Sequence, residues 1–243
     1  MGRITESIKH LIIINVLLFI VPQLLKGIDI QTLFALHFPG SPKFGLWQYV
    51  THLFMHGSFS HLLFNMYGLW AFGTPLEEMW GRNKFLFFYF SAGLGAGLIY
   101  TAVNYYQFNG IYQQLLGDGL NIADIDTLLN TGRYNAGMIS LSNETLSEFY
   151  NLYHTPAVGA SGAIYGVLVA FGLSFPESKL ALIFLPVPIA AKYFIPVMIL
   201  GDLFFGVTSY SIGNIAHFAH IGGALIGFII AWYWKQNQFK RWN

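Results

Sequence analysis

The chain has 243 residues, 55% of them hydrophobic and only 9% charged, where soluble domains average about 25% charged. A soluble domain of this size could not stay dispersed with so few charges, so most of its surface is expected to meet lipid. A formal net charge of +1 without a Lys/Arg cluster gives nucleic acid nothing to bind, and the lack of cysteine excludes disulfides, a thiolate nucleophile and thiolate metal ligands.

Arg3 and Lys9 precede an apolar run from Leu11 to Val21, as in a signal peptide. No small-x-small cleavage site follows, so the run is read as a retained first span over about 10–25. Residues 27–50 mix Phe34, Phe38, Phe44 and Trp47 with glycines and prolines. They are too apolar for a free loop and too broken for a span, and are expected to lie in the membrane interface. The second span, about 52–76, is unusual in carrying His52, His56, His61 and Asn65. A polar turn over 77–84 leads to the third span, about 85–105.

The longest polar stretch, 107–154, holds Asp118, Asp124, Asp126, Glu144 and Glu148 but only Arg133 as a strong base. It is read as an extramembrane insertion, with short helices expected over 124–130 and 142–153, the latter capped by Ser142 or Asn143. The fourth span covers about 161–175. Such a helix reaches only about 22 Å, short of the roughly 30 Å hydrocarbon core, so its serine end is expected to be recessed. Non-helical backbone at that depth must be buried by protein or reached by water. Pro186 and Pro188 break the stretch 180–191 into a loop or extended piece. The fifth span, about 193–207, contains Asp202; a turn over 208–214 leads to the sixth, about 216–234. The predicted fold is an all-α polytopic membrane protein, a bundle of six transmembrane helices in a single domain over 1–243.

With six spans both termini share a side, and that side collects Arg3, Lys9, Arg82, Lys84, Lys179, Lys192, Lys235, Lys240 and Arg241. The other side holds Lys26, Lys43 and Arg133. The positive-inside rule then makes the termini cytoplasmic and turns Ser161 toward the outer face. The compact chain suggests a bacterial inner membrane.

Polar residues within spans are costly and point to function. Ser161 sits in Gly159-Ala160-Ser161-Gly162, where the glycines can turn the chain and present backbone N–H groups beside the hydroxyl. The same string also occurs where small residues merely let helices pack. His61 and Asn65 lie four apart, on one helical face. His220, Gly223 and Gly227 share a face of the sixth span, and Gly162 and Gly166 form a matching groove on the fourth. Close contact between these grooves would bring Ser161 and His220 together, with Tyr165 under the imidazole ring. The chemistry that fits is a serine nucleophile and a histidine base, with His61, Asn65 and the Ser161 N–H as oxyanion donors. No carboxylate has an obvious place beside His220; Asp202 is the nearest candidate, so a dyad is the economical reading.

With these residues in place, the chain resembles the rhomboid family of intramembrane serine proteases. The resemblance runs over all six spans, through His56-Gly57-Ser58-Phe59-Ser60-His61-Leu62-Leu63-Phe64-Asn65, Gly159-Ala160-Ser161-Gly162 and Ala219-His220-Ile221-Gly222-Gly223. It implies Ser161 as nucleophile, His220 as base, His61 and Asn65 as oxyanion donors, Tyr165 stacked on His220, and Gly223 and Gly227 holding the sixth span to the fourth. It further implies a structural turn from Glu77 to Gly81, a mobile fifth span, membrane-protein substrates with small residues before the cleaved bond, and no metal or organic cofactor. Two features depart from the family pattern: Trp47-Gln48 stands where a Trp-Arg pair is common, and the insertion is longer than in compact members.

Other readings compete. His52 and His56 are expected to tie down the loop above the second span by hydrogen bonds, and His217 to be structural. A metalloprotease would need a motif such as His-Glu-x-x-His, which is absent. The alternative to a protease is a non-catalytic relative that binds transmembrane helices, or a transporter; inactive relatives would be expected to lose the serine or the histidine. The oligomeric state is not encoded in any feature of the sequence.

Overall fold

The computed structural model describes residues 3–24, 29–134, 137, 139–182, 185–208 and 217–238. Lys26, Lys240 and Arg241, most of the turn expected over 208–214 and the expected start of the sixth span at Ala216 lie outside the described residues. The chain is predominantly helical. Helix α1 (Glu6–Leu24) is followed by two short helices, α2 (Ile30–Phe34) and α3 (Gln48–Thr51), and a 3-10 turn at His52–Phe54. Then come α4 (Phe59–Trp80), α5 (Arg82–Gly117), α6 (Ile122–Thr131), α7 (Asn143–His154) and α8 (Ser161–Ser174). A hairpin of β1 (Lys179–Leu182) and β2 (Leu185–Ala190) precedes α9 (Ala191–Val207) and α10 (His217–Gln238).

Among the described residues α1, α5 and α10 are long and apolar enough to cross a membrane by length and composition. Helix α4 has 22 residues, but its apolar run is interrupted by His61, Asn65, Thr74, Glu77 and Glu78. Helices α8 and α9 have 14 and 17 residues. Helix α8 is the hub. It is buried along most of its length, from Gly162 to Phe171, and packs against α4, α5, α9 and α10. An apolar helix without a polar face is stable only when neighbours enclose it.

Several boundaries differ from those expected, each for a local reason. The helix of the expected second span, α4, begins at Phe59 rather than His52, because Ser58 caps it by accepting from the His61 N–H at 3.2 Å. His52 and His56 therefore precede it. The expected polar turn over 77–84 is largely helical: α4 continues to Trp80, Gly81 breaks it at φ +78°, and α5 starts at Arg82. Glu77 closes this corner on α1, accepting from the Ser7 and Ile8 N–H groups at 3.0 and 3.2 Å. It thereby caps donors that a helix start leaves open.

Helix α5 does not stop near Tyr105 but runs 36 residues to Gly117, about 54 Å at 1.5 Å per residue. Its far end joins the insertion, which has its own small core of Ile111, Leu115, Ile125, Leu128, Leu146 and Phe149. Helices α6 and α7 form there, capped by Asn121 and Ser142. The proline-broken stretch pairs as an antiparallel hairpin, Lys179 opposite Ala190 and Leu180 opposite Ile189. A two-stranded ribbon leaves each strand a free edge on which Pro186 and Pro188 are tolerated. Residues 29–50 fold against the insertion and α5, with Gln48 fully buried. Its amide accepts from the His37 N–H (3.1 Å) and donates to the carbonyls of Lys43 (2.8 Å) and Leu33 (3.2 Å).

Candidate active site

Ser161 is the first residue of α8, and the loop delivering it is pinned from two sides. Leu36 and Ala157 exchange backbone hydrogen bonds of 2.9 and 2.8 Å, and the Gly159 N–H donates to the His52 carbonyl at 2.9 Å. Gly159 has φ +120°, and a Cβ there would stand 2.7 Å from two atoms of the His61 ring. Both the backbone and the space demand glycine. His52 acts on this loop through its carbonyl, while its ring Nδ1 lies 2.7 Å from the Gln48 carbonyl.

Helix α10 brings His220 to the serine: Nε2 lies 2.8 Å from Ser161 Oγ. Small residues make that approach possible. Gly162 and Gly166 of α8 face Gly223 and Gly227 of α10 so closely that a Cβ on Gly223 would collide with the Gly162 carbonyl. One on Gly166 would stand 2.9 Å from the Gly223 carbonyl oxygen. The backbones thus touch directly, as small-residue stripes allow between apolar helices.

Tyr165, one turn into α8, stacks on the His220 ring with centroids 4.2 Å apart and planes 11° from parallel. Its hydroxyl donates to Asp202 of α9. Asp202 is buried and also meets His217, whose Nδ1 is 2.6 Å from Oδ1. His61 and Asn65 reach the site from α4, on the other side of Gly159. The Asn65 amide nitrogen is buried without a hydrogen-bond partner among the described residues, a donor held in reserve beside the serine loop. The His56 ring is buried and meets that of His61 edge-on, with centroids 5.0 Å apart.

These residues open onto a cavity of about 1570 Å³. His61, Asn65, Ser161 and His220 line it together with apolar side chains of α4, α8 and α9, so a polar floor sits within an apolar enclosure. The insertion also contributes wall, through Glu144, Ser147, Glu148 and Asn151 of α7. Among the described residues no three His, Asp or Glu side chains are grouped as a metal centre requires. The sequence placed Tyr165 beneath the His220 ring and named Asp202 as the nearest carboxylate, but nothing there told that Asp202 also meets Tyr165 and His217.

The arrangement offers a hydroxyl hydrogen-bonded to an imidazole, a buried amide donor without a partner among the described residues beside the serine loop, and an apolar trough leading to them. A family model described as the Rhomboid domain matches residues 43–117 and 129–237. The mitochondrial Rhomboid protein 1 of Saccharomyces cerevisiae is 28% identical over 182 residues, which are 74% of this chain and 39% of that protein. The mitochondrial presenilin-associated rhomboid-like protein of Rattus norvegicus is 33% identical over 189 residues, 74% of this chain and 35% of its own length. The rhomboid protease AarA of Providencia stuartii is 27% identical over 198 residues, 76% and 54% of the two chains. The chain therefore spans between about a third and a half of the length of these relatives.

Proposed function

The chain belongs to the rhomboid family and is an integral membrane protein, and on that premise we propose that it is a serine endopeptidase that hydrolyses peptide bonds in or near the transmembrane segments of membrane-protein substrates. The observation that carries the proposal is the 2.8 Å contact between Ser161 Oγ and His220 Nε2 on the wall of a cavity enclosed by apolar helices. His220 takes the hydroxyl proton as Oγ attacks the scissile carbonyl carbon. His61, Asn65 and the Ser161 N–H donate to the oxyanion that forms, each donor worth roughly 3–4 kcal/mol in such sites. His220 then protonates the leaving amine, and water admitted along the polar floor releases the acyl group. Substrates whose helix unwinds easily are favoured, because helical hydrogen bonds shield the carbonyl under attack.

The proposal includes six crossings, by α1, α4, α5, α8, α9 and α10, with cytoplasmic termini and the cavity toward the outer face. It places the protein in a bacterial inner membrane, a setting that the AarA relative would share and the two mitochondrial relatives would not, and uses no cofactor. The decisive experiment is cleavage of a model transmembrane substrate in liposomes by wild type, Ser161→Ala and His220→Ala. Cleavage by wild type alone is the expected result. Equal cleavage by Ser161→Ala would sink the mechanism, and wild type that binds but never cleaves transmembrane helices would favour a non-catalytic role.

A further inference from the structure

A carboxylate inside an apolar helix is expensive and needs an explanation. Asp202 sits in α9, nine-tenths buried. Its Oδ1 lies 2.6 Å from His217 Nδ1; its Oδ2 accepts the Tyr165 hydroxyl and lies 3.4 Å from His220 Nδ1. Three helices thus converge on one side chain: α8 through Tyr165, α10 through both histidines, and α9 itself. His220 Nδ1 is buried and has no hydrogen-bond partner among the described residues.

The tautomer of His220 follows from its proposed role. For Nε2 to accept the Ser161 proton, the proton of the neutral ring must reside on Nδ1. A buried N–H without an acceptor costs the full desolvation penalty of the group. Asp202 Oδ2, at 3.4 Å, is a few tenths of an ångström beyond an ordinary N–H···O separation of about 2.7–3.2 Å. The charge that develops on the imidazole during attack strengthens the attraction between the two.

We propose that Asp202 is a positioning residue for His220, holding it as the Nδ1–H tautomer with Nε2 turned to Ser161 and stabilising the imidazolium that forms. The inference rests on the Ser161–His220 mechanism given above. Tyr165 completes the arrangement from the side: it covers the face of the imidazole with its ring and anchors the carboxylate with its hydroxyl. His217 holds the other carboxylate oxygen, so the oxygen nearer His220 is kept in place.

Asp202→Asn tests this with little change in volume. The substituted amide removes the charge and can present a donor toward His220, favouring the wrong tautomer. With a model substrate, kcat is expected to fall about 100-fold or more while KM stays within about threefold, as when the orienting carboxylate of a serine protease is neutralised. Labelling of Ser161 by a fluorophosphonate should slow in parallel, and a merely structural loss would instead lower the fraction labelled at an unchanged rate. Unchanged kcat and labelling rate would overturn the inference. So would a raised kcat or lowered KM, which would make Asp202 a brace restraining α9. Where Asp202→Asn does not fold, the 15N spectrum of histidine-labelled wild type decides, with His220→Ala for assignment: an Nδ1–H tautomer supports the inference and an Nε2–H tautomer overturns it. Failure of the underlying mechanism reads differently, since Ser161→Ala would then cleave like wild type.

Discussion

Gly166→Ala probes the closeness of α8 and α10 in the most direct way. The added methyl would stand 2.6 Å from Ala92 Cβ of α5 and 2.9 Å from the Gly223 carbonyl oxygen of α10. Carbon atoms in ordinary contact are about 3.5–4.0 Å apart, so α8 must move by about 1 Å, and it is blocked on both sides at once. Neither neighbour is the free end of a flexible side chain that could swing aside. The Ser161 Oγ–His220 Nε2 separation of 2.8 Å would then open to nearly 4 Å, which is no longer a hydrogen bond. Overpacking of this kind costs about 1–3 kcal/mol in stability. A 1 Å misplacement of reacting groups costs about 100-fold in rate. The assay is kcat on a model substrate beside thermal unfolding in detergent, with Gly110→Ala as control because a Cβ there meets nothing within 4 Å. Gly166→Ala is expected to lose both activity and melting temperature while Gly110→Ala keeps both. A Gly166→Ala enzyme within twofold of wild type would refute the account of how the helices approach.

Three further substitutions test separate links. Gly159→Ala forces a side chain into φ +120° and against the His61 ring at 2.7 Å; cleavage and fluorophosphonate labelling of Ser161 should fall at least about 100-fold, and retention of either would contradict the role given to this turn. Glu77→Ala leaves the Ser7 and Ile8 N–H groups without their acceptor; the lost cap is worth about 1–2 kcal/mol, read as a lower melting temperature with kcat per folded molecule unchanged. Phe149→Ala removes a fully buried ring stacked on Phe108 at 4.4 Å in the core of the insertion; the cost of about 3–5 kcal/mol should open residues 107–154 to limited proteolysis, and resistance equal to wild type would show that this core does not hold the insertion together.

The chemistry-bearing residues were legible because a membrane makes polar groups conspicuous: Ser161, His61, Asn65, Asp202 and His220 each interrupt an apolar run. Pairing was legible only where a stripe of glycines marked a contact, as for α8 with α10. Three things were hidden, each for a physical reason. The start of α4 was obscured because Leu53 and Phe54 are apolar enough to continue a span, whereas the Ser58 cap is a short-range signal in a run that also holds Ser60. The length of α5 was hidden because its polar C-terminal half, with Asn104, Gln107 and Asn109, reads as loop until the contacts of Ile111 and Leu115 with the insertion are known. The surroundings of Asp202 were hidden because its partners lie 37, 15 and 18 residues away on two other helices, and neither hydropathy nor periodicity records the azimuth of one helix against another.

The insertion belongs to the site as much as to the exterior. It leaves the bundle along α5 and returns through α7, whose last residue, His154, stands seven before Ser161. Between them lies only the segment pinned by the Leu36–Ala157 pairing and the Gly159–His52 hydrogen bond. Displacement of α7 therefore pulls on the strand that sets the serine, while Glu144, Ser147, Glu148 and Asn151 form part of the cavity wall above it. Buried Gln48 strengthens the same frame from the other side, fixing the 33–43 segment that carries Leu36. The longer insertion and the Trp47-Gln48 pair, two departures from the family pattern, thus meet in one place: the 33–43 segment, held by Trp47 and Gln48 on one side and by Phe108 and Tyr153 on the other.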